Sequence, residues 1–248
     1  MLKDVEKTVN DITAYILDFF EKNGKNCSAV LGISGGKDSC VTAALLARAL
    51  GKDRVVGVMM PDGVQSDIAD SKAVVEFLGI RNFTVNIGET TTALKKALED
   101  AGSSVSRDTQ INMPPRIRMS VLYAVAQGLE EGGRVINTCN KSEDYIGYST
   151  KYGDAAGDMS ILAGLTVEEV LQVGDFLGLP SHLVHKTPSD GLSGMSDEDK
   201  IGFTYAVLDR YIATGECEDE AVKAKIDRMH VLNLHKLALM PHFEPDRT

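Results

Sequence analysis

The chain has 248 residues, of which 43% are apolar and 25% charged, a balance that allows a full core and excludes a disordered polar chain. A formal net charge of −10 argues against a nucleic-acid binder, which carries a basic excess or patch, yet leaves room for a local pocket that holds anionic small molecules. No apolar run approaches the roughly 20 residues of a membrane span, and Cys27, Cys40, Cys139 and Cys217 form no CxxC pair, which excludes a zinc ribbon and fits reduced thiols in a cytoplasmic protein.

The N-terminal stretch is charged throughout and lacks the apolar segment of a signal peptide. Val5, Val9, Ile12, Ile16 and Phe19 with Phe20 fall on one stripe of an amphipathic helix that Gly24 stops. Residues 28–34 predict a short apolar strand, and 39–50 a helix stopped by Gly51. A second strand is expected over 54–60 and a helix over 67–79, then a third strand over 82–87 and a helix over 91–102. Residues 103–115 break the pattern with polar side chains and Pro114-Pro115, so the next helix is expected from Arg116 to near Glu131. A fourth strand is predicted over 134–140. Beyond Ser142 the strand signal fades, and "SRDTQINMPP" and "SDGLSGMSDED" are expected to be mobile.

Strands alternating with helices of this length imply βαβ units: a doubly wound parallel α/β sheet, with a helical extension at its C-terminal end. Ligands of such sheets bind at the carboxyl ends of the strands. Three polar stretches fall there: "SGGKDS" after the first strand, "PDGVQSD" after the second and "TCNKSE" after the fourth.

"SGGKDS" (34–39) is not the kinase-type phosphate loop, which ends Gly-Lys-Ser/Thr. Gly35 and Gly36 let a ligand approach the backbone, and the helix start behind them offers unpaired N–H groups to an anion. Ser34 and Ser39 add hydroxyls, and Lys37 adds charge. Asp38 is the odd residue, because a carboxylate beside phosphates needs a cation between them. It reads either as a helix cap or as a ligand of Mg²⁺, which takes one or two carboxylates plus phosphate oxygens. Glu143 likewise reads as a first-turn acid or as a second metal ligand. Lys151 and Asp154 read as a surface ion pair or as site residues. Arg116 and Arg118 sit at a predicted helix start, where positive charge is unfavourable and an anionic ligand would offset it. His182 and His185 have no metal-site company and read as ordinary residues.

The loop resembles that of the ATP pyrophosphatases, which cleave ATP to AMP and pyrophosphate. Within that group, "NTCNKSEDYIGYSTKYGDAAGD" resembles the most distinctive segment of ammonia-dependent NAD synthetases. "NMPPRIRMSVLYAVA", "MMPDGVQSD", "KTPSDGL" with "SDEDKIGFTYAVLD", and "LHKLALMP" resemble further segments of that family, in the right order along nearly the whole chain. The resemblance implies a Rossmann-like, five-stranded sheet of ATP pyrophosphatase type, in a single domain over 1–248 without a glutamine amidase domain. It implies ATP, deamido-NAD and ammonia as substrates, Mg²⁺ as cofactor, a homodimer, and neither nucleic acid nor membrane as partner.

Site residues are carried over position by position. Gly32, Ile33, Ser34, Gly35, Gly36, Lys37, Asp38 and Ser39 would hold the ATP phosphates, and Thr138 and Ser189 match further ATP contacts. Asp38 and Glu143 would hold Mg²⁺. Arg116, Lys151, Asp158, His235 and Lys236 match positions that bind deamido-NAD, with the His235–Lys236 pair expected to reach the other subunit's substrate. Asp154 would lie near the ammonia, so that Asp38, Lys151 and Asp154 form the expected catalytic set. The sequence departs from the family pattern at Asn137, usually glycine, at Pro114-Pro115, at "MSIL" after Asp158, and at Val167 and Leu237, where many members carry a lysine and an arginine. A tRNA-modifying relative and a non-catalytic nucleotide sensor are the alternative readings.

Overall fold

The apolar stripe of the N-terminal segment forms helix α1 (Val5–Asn23). Asp4 caps it by accepting from Lys7 N at 2.9 Å, and the Gly24 N–H closes it on Phe20 O at 3.0 Å. In this computed structural model, which describes residues 1–64, 68–186 and 196–247, strands and helices then alternate. They are β1 (Ser28–Gly32), α2 (Lys37–Leu50), β2 (Val55–Met59), α3 (Ile68–Leu78), β3 (Arg81–Thr84), α4 (Gly88–Asp100), α5 (Arg107–Gly128), β4 (Gly133–Asn137), α6 (Lys141–Ile146) and β5 (Met159–Ser160). The remainder is helical: α7 (Val167–Phe176), α8 (Ser181–Val184), α9 (Asp197–Ile201), α10 (Tyr205–Thr214) and α11 (Glu220–Leu237).

The sheet has five strands in the order β3-β2-β1-β4-β5, and every pairing is parallel. The chain lays β2 and β3 outward from β1, then crosses back to place β4 and β5 on the other side. The winding reverses between β1 and β4, so the loops after these two strands open a crevice at their carboxyl ends.

Both faces of the sheet are covered, which is why its central strands read as unbroken apolar runs. Leu31 points to one face, among Phe20, Leu45 and Val170. Val30, Val56, Val58 and Val135 point to the other, where α5 supplies Ile117, Met119 and Leu122. Ile146, Phe203, Tyr205, Leu208 and Ile226 form a separate apolar cluster among the C-terminal helices, as the expected helical extension requires.

The structure corrects the sequence reading in four places. α5 begins at Arg107, not Arg116, because Ser106 caps it by accepting from Thr109 N at 3.1 Å. Its Pro114 and Pro115 remove the N–H partners of Gln110 and Ile111. Both of those residues are exposed, so water replaces the lost bonds, while buried Met113 and Pro114 hold the segment on the sheet. "SRDTQINMPP" is therefore helix for most of its length rather than a mobile loop. The second difference is β3, which runs over Arg81–Thr84; Val85 N still donates to Met59 O and Ile87 N to Pro61 O, each at 2.9 Å, so extended chain continues past the strand. Third, β5 contains only Met159 and Ser160, too few for an alternation signal. Finally, α2 starts at Lys37, and Asp38 lies in its first turn rather than capping it, the cap position being Gly36. Of "SDGLSGMSDED", residues 189–195 lie outside the described residues, and Ser196 caps α9 by accepting from Asp199 N at 3.1 Å.

Candidate active site

Pairing with β2 ends where Ile33 N donates to Val58 O at 2.9 Å. The chain then turns through Ser34, Gly35 and Gly36 into α2. Gly35 has φ +80°, and a Cβ there would lie 2.8 Å from Ser71 N, so only glycine fits this close approach to α3. Ser39 Oγ lies 3.1 Å from Gly36 O, to which it donates, and 3.2 Å from Ser34 Oγ, which locks the turn from inside. No side chain caps α2. The N–H groups of its first turn therefore face the crevice with their positive partial charge available to an anion.

The loop after β4 meets this turn. Asn140 is fully buried, and its Nδ2 donates to Asp38 Oδ1 at 3.0 Å. Its Oδ1 accepts from Ser142 N and Glu143 N, each at 3.1 Å, to cap α6. The Glu143 carboxylate returns to Asn140 N at 3.5 Å, completing a capping box. One amide thus fixes both acids that the sequence singled out as metal ligands. Burial first, and the Asp38 carboxylate next, push the Glu143 pKa up to about 8. Two carboxylates set so close repel, and a cation between them relieves that repulsion. The donor set, oxygen only, suits Mg²⁺. Among the described residues no cluster of three or more His, Cys, Asp or Glu side chains surrounds a single point, so the remaining ligands would have to come from phosphate oxygens and water.

A cleft of about 390 Å³ joins these groups. Ser34, Gly36, Lys37, Asp38, Thr138 and Glu143 line one end. Val58, Met60, Met119 and Leu122 add apolar surface to its lining. Arg118 also lines the cleft, its Nε donating to Met60 O at 3.0 Å. Burial lowers the Arg118 pKa, and Asp62 and Asp154 work against that effect. Asp154 lines the same cleft and accepts from Thr150 N at 2.9 Å; burial raises its pKa against that hydrogen bond.

Two departures from the family pattern have structural answers. Asn137, in place of glycine, is buried and donates through Nδ2 to Asp154 O at 2.7 Å and Ala156 O at 3.2 Å. It ties β4 to the segment that carries Asp154. Val167 is buried in the C-terminal apolar cluster and supplies no charge. The cations that line the cleft among the described residues are Lys37, Arg118 and Lys186, the last paired with Asp70 at 2.6 Å.

Arg116, Lys151, Asp158, His235 and Lys236 do not line this cleft. Four of them gather where α11 meets the loop after α6. Lys151 Nζ donates to His235 O at 2.6 Å, Arg116 Nε to Lys151 O at 3.2 Å, and Lys236 Nζ to Gly147 O at 2.7 Å and Ser149 O at 2.9 Å. The Lys236 ammonium is thus held by its own chain. Asp158 sits apart at the sheet edge, accepting from Val135 N at 2.7 Å and Tyr123 Oη at 3.2 Å, beside a second cavity of about 530 Å³ that Leu237 also lines. Ser189 lies outside the described residues.

Sequence reasoning missed Asn140, Asp197 and Tyr205. Asn140 had a signal, because Asn-x-x-Glu is a capping-box spacing. Asp197 lines the cleft and Tyr205 packs against its charged end, and neither carries a local signal. Lys186, at the start of "KTPSDGL", lines the cleft as well.

The sequence model of the family described as NAD synthase matches residues 8–245. The chain is 38% identical over 202 residues to the NH(3)-dependent NAD(+) synthetase of Pyrococcus furiosus, covering 81% of this chain and 76% of that one. It is 36% identical over 247 residues to the enzyme of the same description from Alkaliphilus metalliredigens, covering 96% of this chain and 98% of that one. The solved structure of NMN synthetase from Francisella tularensis superposes with a TM-score of 0.87 at 29% identity, covering 97% and 99% of the two chains. A doubly wound parallel sheet, an uncapped phosphate-loop helix facing paired carboxylates, and a match along nearly the full length agree: this chain belongs to the NAD synthase family.

Proposed function

We propose that this chain is the ATP-dependent ligase that amidates the nicotinate carboxylate of deamido-NAD with ammonia, giving NAD, AMP and pyrophosphate through an adenylated intermediate. The carboxylate oxygen attacks the α-phosphorus, pyrophosphate leaves, and ammonia then displaces AMP from the acyl carbon. The observation that carries this reading is the buried Asn140 amide, which sets Asp38 and Glu143 together beside the open N-terminus of α2. The triphosphate lies against that N-terminus and the Ser34 and Ser39 hydroxyls. The apolar side of the cleft takes the adenine. Asp38 and Glu143 would hold Mg²⁺, which when bound would supply positive charge against the leaving pyrophosphate. Little covalent work falls to side chains, so positioning dominates. Asp154, whose pKa burial raises, accepts a proton as ammonium gives up ammonia.

Arg116, Lys151, Asp158, His235 and Lys236 are read as the acceptor nucleotide's surroundings, outside the ATP cleft. Val231, Leu234, Leu237, Leu239, Met240 and Phe243 leave an exposed apolar stripe along and beyond α11. A second copy of the chain covering that stripe would complete the acceptor site and make the active species a homodimer. Free ammonia is read as the nitrogen donor. The free cysteines, three of them buried, support a reducing cytoplasmic setting. No described helix is long and apolar enough to cross a membrane.

One observation favours a second acceptor. The superposition on an enzyme described as an NMN synthetase runs over 97% of this chain. In addition, Leu237 lines the second cavity where the family resemblance sets an arginine, and a mononucleotide has one phosphate fewer to hold. Purified protein is incubated with ATP, Mg²⁺, ammonium and either deamido-NAD or nicotinate mononucleotide, and products are separated by chromatography. NAD and AMP in equal amounts support the main reading. Turnover with the mononucleotide alone selects the second, and AMP formed only with an unrelated acid sinks both.

A further inference from the structure

Lys37 is the least expected side chain of the phosphate loop, because a lysine this buried gives up its water. Its side chain keeps 5% exposure, and its Nζ lies 2.8 Å from Asp38 Oδ2 and 5.7 Å from the centre of the Tyr205 ring. Its ammonium stands beside the Asp38 carboxylate, and Glu143 and Asp197 line the same cleft. The buried Tyr205 hydroxyl, also within the field of Glu143, Asp197 and Asp38, has no hydrogen-bond partner among the described residues. Asp38, Glu143 and Asp197 line the same cleft as this ammonium, and Asp197 also accepts from Tyr148 Oη at 3.1 Å and faces Lys200 Nζ at 4.0 Å. Without a cation a half-buried carboxylate such as Asp38 is costly, and among the described residues the Lys37 ammonium is the one within ion-pair distance of it.

We propose that Lys37 is the resident cation of this site: in the ligand-free protein its ammonium neutralises Asp38, and it releases Asp38 when a divalent cation is bound there. The inference rests on Asp38 and Glu143 being metal ligands, as argued above. The released ammonium can turn toward the face of Tyr205, whose ring centre lies 5.7 Å away. The consequence is selectivity between free and nucleotide-bound metal. A free divalent ion must displace Lys37 with no compensation, whereas a metal–triphosphate brings the negative charge that accommodates both cations. Lys37 is on this account a positioning residue, acting through Asp38.

The test is Mn²⁺ binding, read by electron paramagnetic resonance on wild type, Lys37→Met and Lys37→Arg, with and without the α,β-methylene analogue of ATP. Without nucleotide, Lys37→Met should bind Mn²⁺ about tenfold more tightly than wild type, the order expected when a competing charge leaves a partly buried pair. Lys37→Arg should stay near wild type. Unchanged or weaker binding by folded Lys37→Met overturns the proposal, as does a variant that loses only affinity for the analogue. Should Lys37→Met fail to fold, ¹⁵N spectra of lysine-labelled wild type decide. The Lys37 Nζ signal, identified by its loss in Lys37→Arg, should shift when Mg²⁺ and the analogue are added together. A stationary signal overturns the proposal. If wild type binds no Mn²⁺ even with the analogue, the metal reading of Asp38 and Glu143 falls and the Lys37 inference falls with it.

Discussion

Asn140 Nδ2 donates to Asp38 Oδ1 at 3.0 Å across the crevice between β1 and β4, joining residues 102 positions apart. The same side chain caps α6 through Ser142 N and Glu143 N. Removing it frees Asp38 to rotate and leaves two buried N–H groups without their acceptor. Asn140→Ala should therefore lower kcat at least tenfold and raise the Mg²⁺ concentration needed for half-maximal rate. It should also destabilise the fold by about 1–3 kcal/mol, the loss of a cap and a buried hydrogen bond. Urea unfolding and steady-state kinetics check both, and wild-type kcat in a folded variant would remove Asn140 from the site.

Glu143 gives a pH signature. Its carboxyl is pushed up to about 8 from its ordinary 4.5, first by burial and then by Asp38. Folded protein therefore holds this proton more tightly than unfolded chain. The stability linked to it is fully present below pH 4.5 and is lost as pH rises through about 8. In metal-free buffer, Glu143→Gln cannot ionise and escapes the loss. Its Tm relative to wild type should rise steadily from pH 5 to pH 8.5, and added Mg²⁺ with the ATP analogue should reverse the order. A Tm difference that does not change with pH would contradict the buried setting of Glu143.

Gly35 is held at φ +80° with Ser71 N only 2.8 Å from where a Cβ would stand. Backbone cannot yield as a flexible side chain can. Gly35→Ala should cost about 1–3 kcal/mol from strain at this φ and from displacement of α3. It should also weaken ATP binding, because the turn that presents the α2 N–H groups shifts. Calorimetric titration with the ATP analogue measures the second effect, and unaltered affinity would show that the turn does not set it.

The legibility of this molecule in its sequence follows distance along the chain. The phosphate loop was readable because six consecutive residues, 34–39, carry the glycines, hydroxyls and acid together, after an apolar strand whose burial fixes its register. The α5 start was not, because Pro114-Pro115 signals a break by local rules, while the exposed setting of Gln110 and Ile111 lets solvent offset the bonds the prolines remove. β5 exists only as an edge partner for Ile136 and Asn137. Asp38 and Glu143 could be paired from strand-end logic. The Asn140 bridge between them, and the closing of Asp197 and Tyr205 over Lys37, depend on contacts that no periodicity encodes. The acceptor residues divided for a similar reason: Lys151 with His235 and Arg116 with Lys151 meet through backbone carbonyls, which residue types do not announce.

Asp209 shows how the C-terminal helices hold the site. It is buried, accepts from Ser142 Oγ and, at 2.9 Å, from Glu168 N, and so ties α10 to the first turns of both α6 and α7. Asp209→Ala should destabilise the protein by about 2–4 kcal/mol through two unsatisfied donors and a lost charge-assisted bond. Its kcat at low temperature, where the variant stays folded, should remain within about threefold of wild type, since Asp209 does not line the cleft that holds Asp38 and Glu143. A large kcat loss in folded protein would assign Asp209 a part in the reaction itself.

The central claim is that this site joins AMP to a carboxylate before ammonia arrives, and oxygen labelling tests it most directly. Deamido-NAD carrying ¹⁸O in its nicotinate carboxylate is turned over with unlabelled ATP, Mg²⁺ and ammonium, and the phosphorus products are read by ³¹P NMR. The account predicts one ¹⁸O in each AMP and none in pyrophosphate, because the attacking carboxylate oxygen departs with AMP. Unlabelled AMP, or ADP in its place, would contradict it.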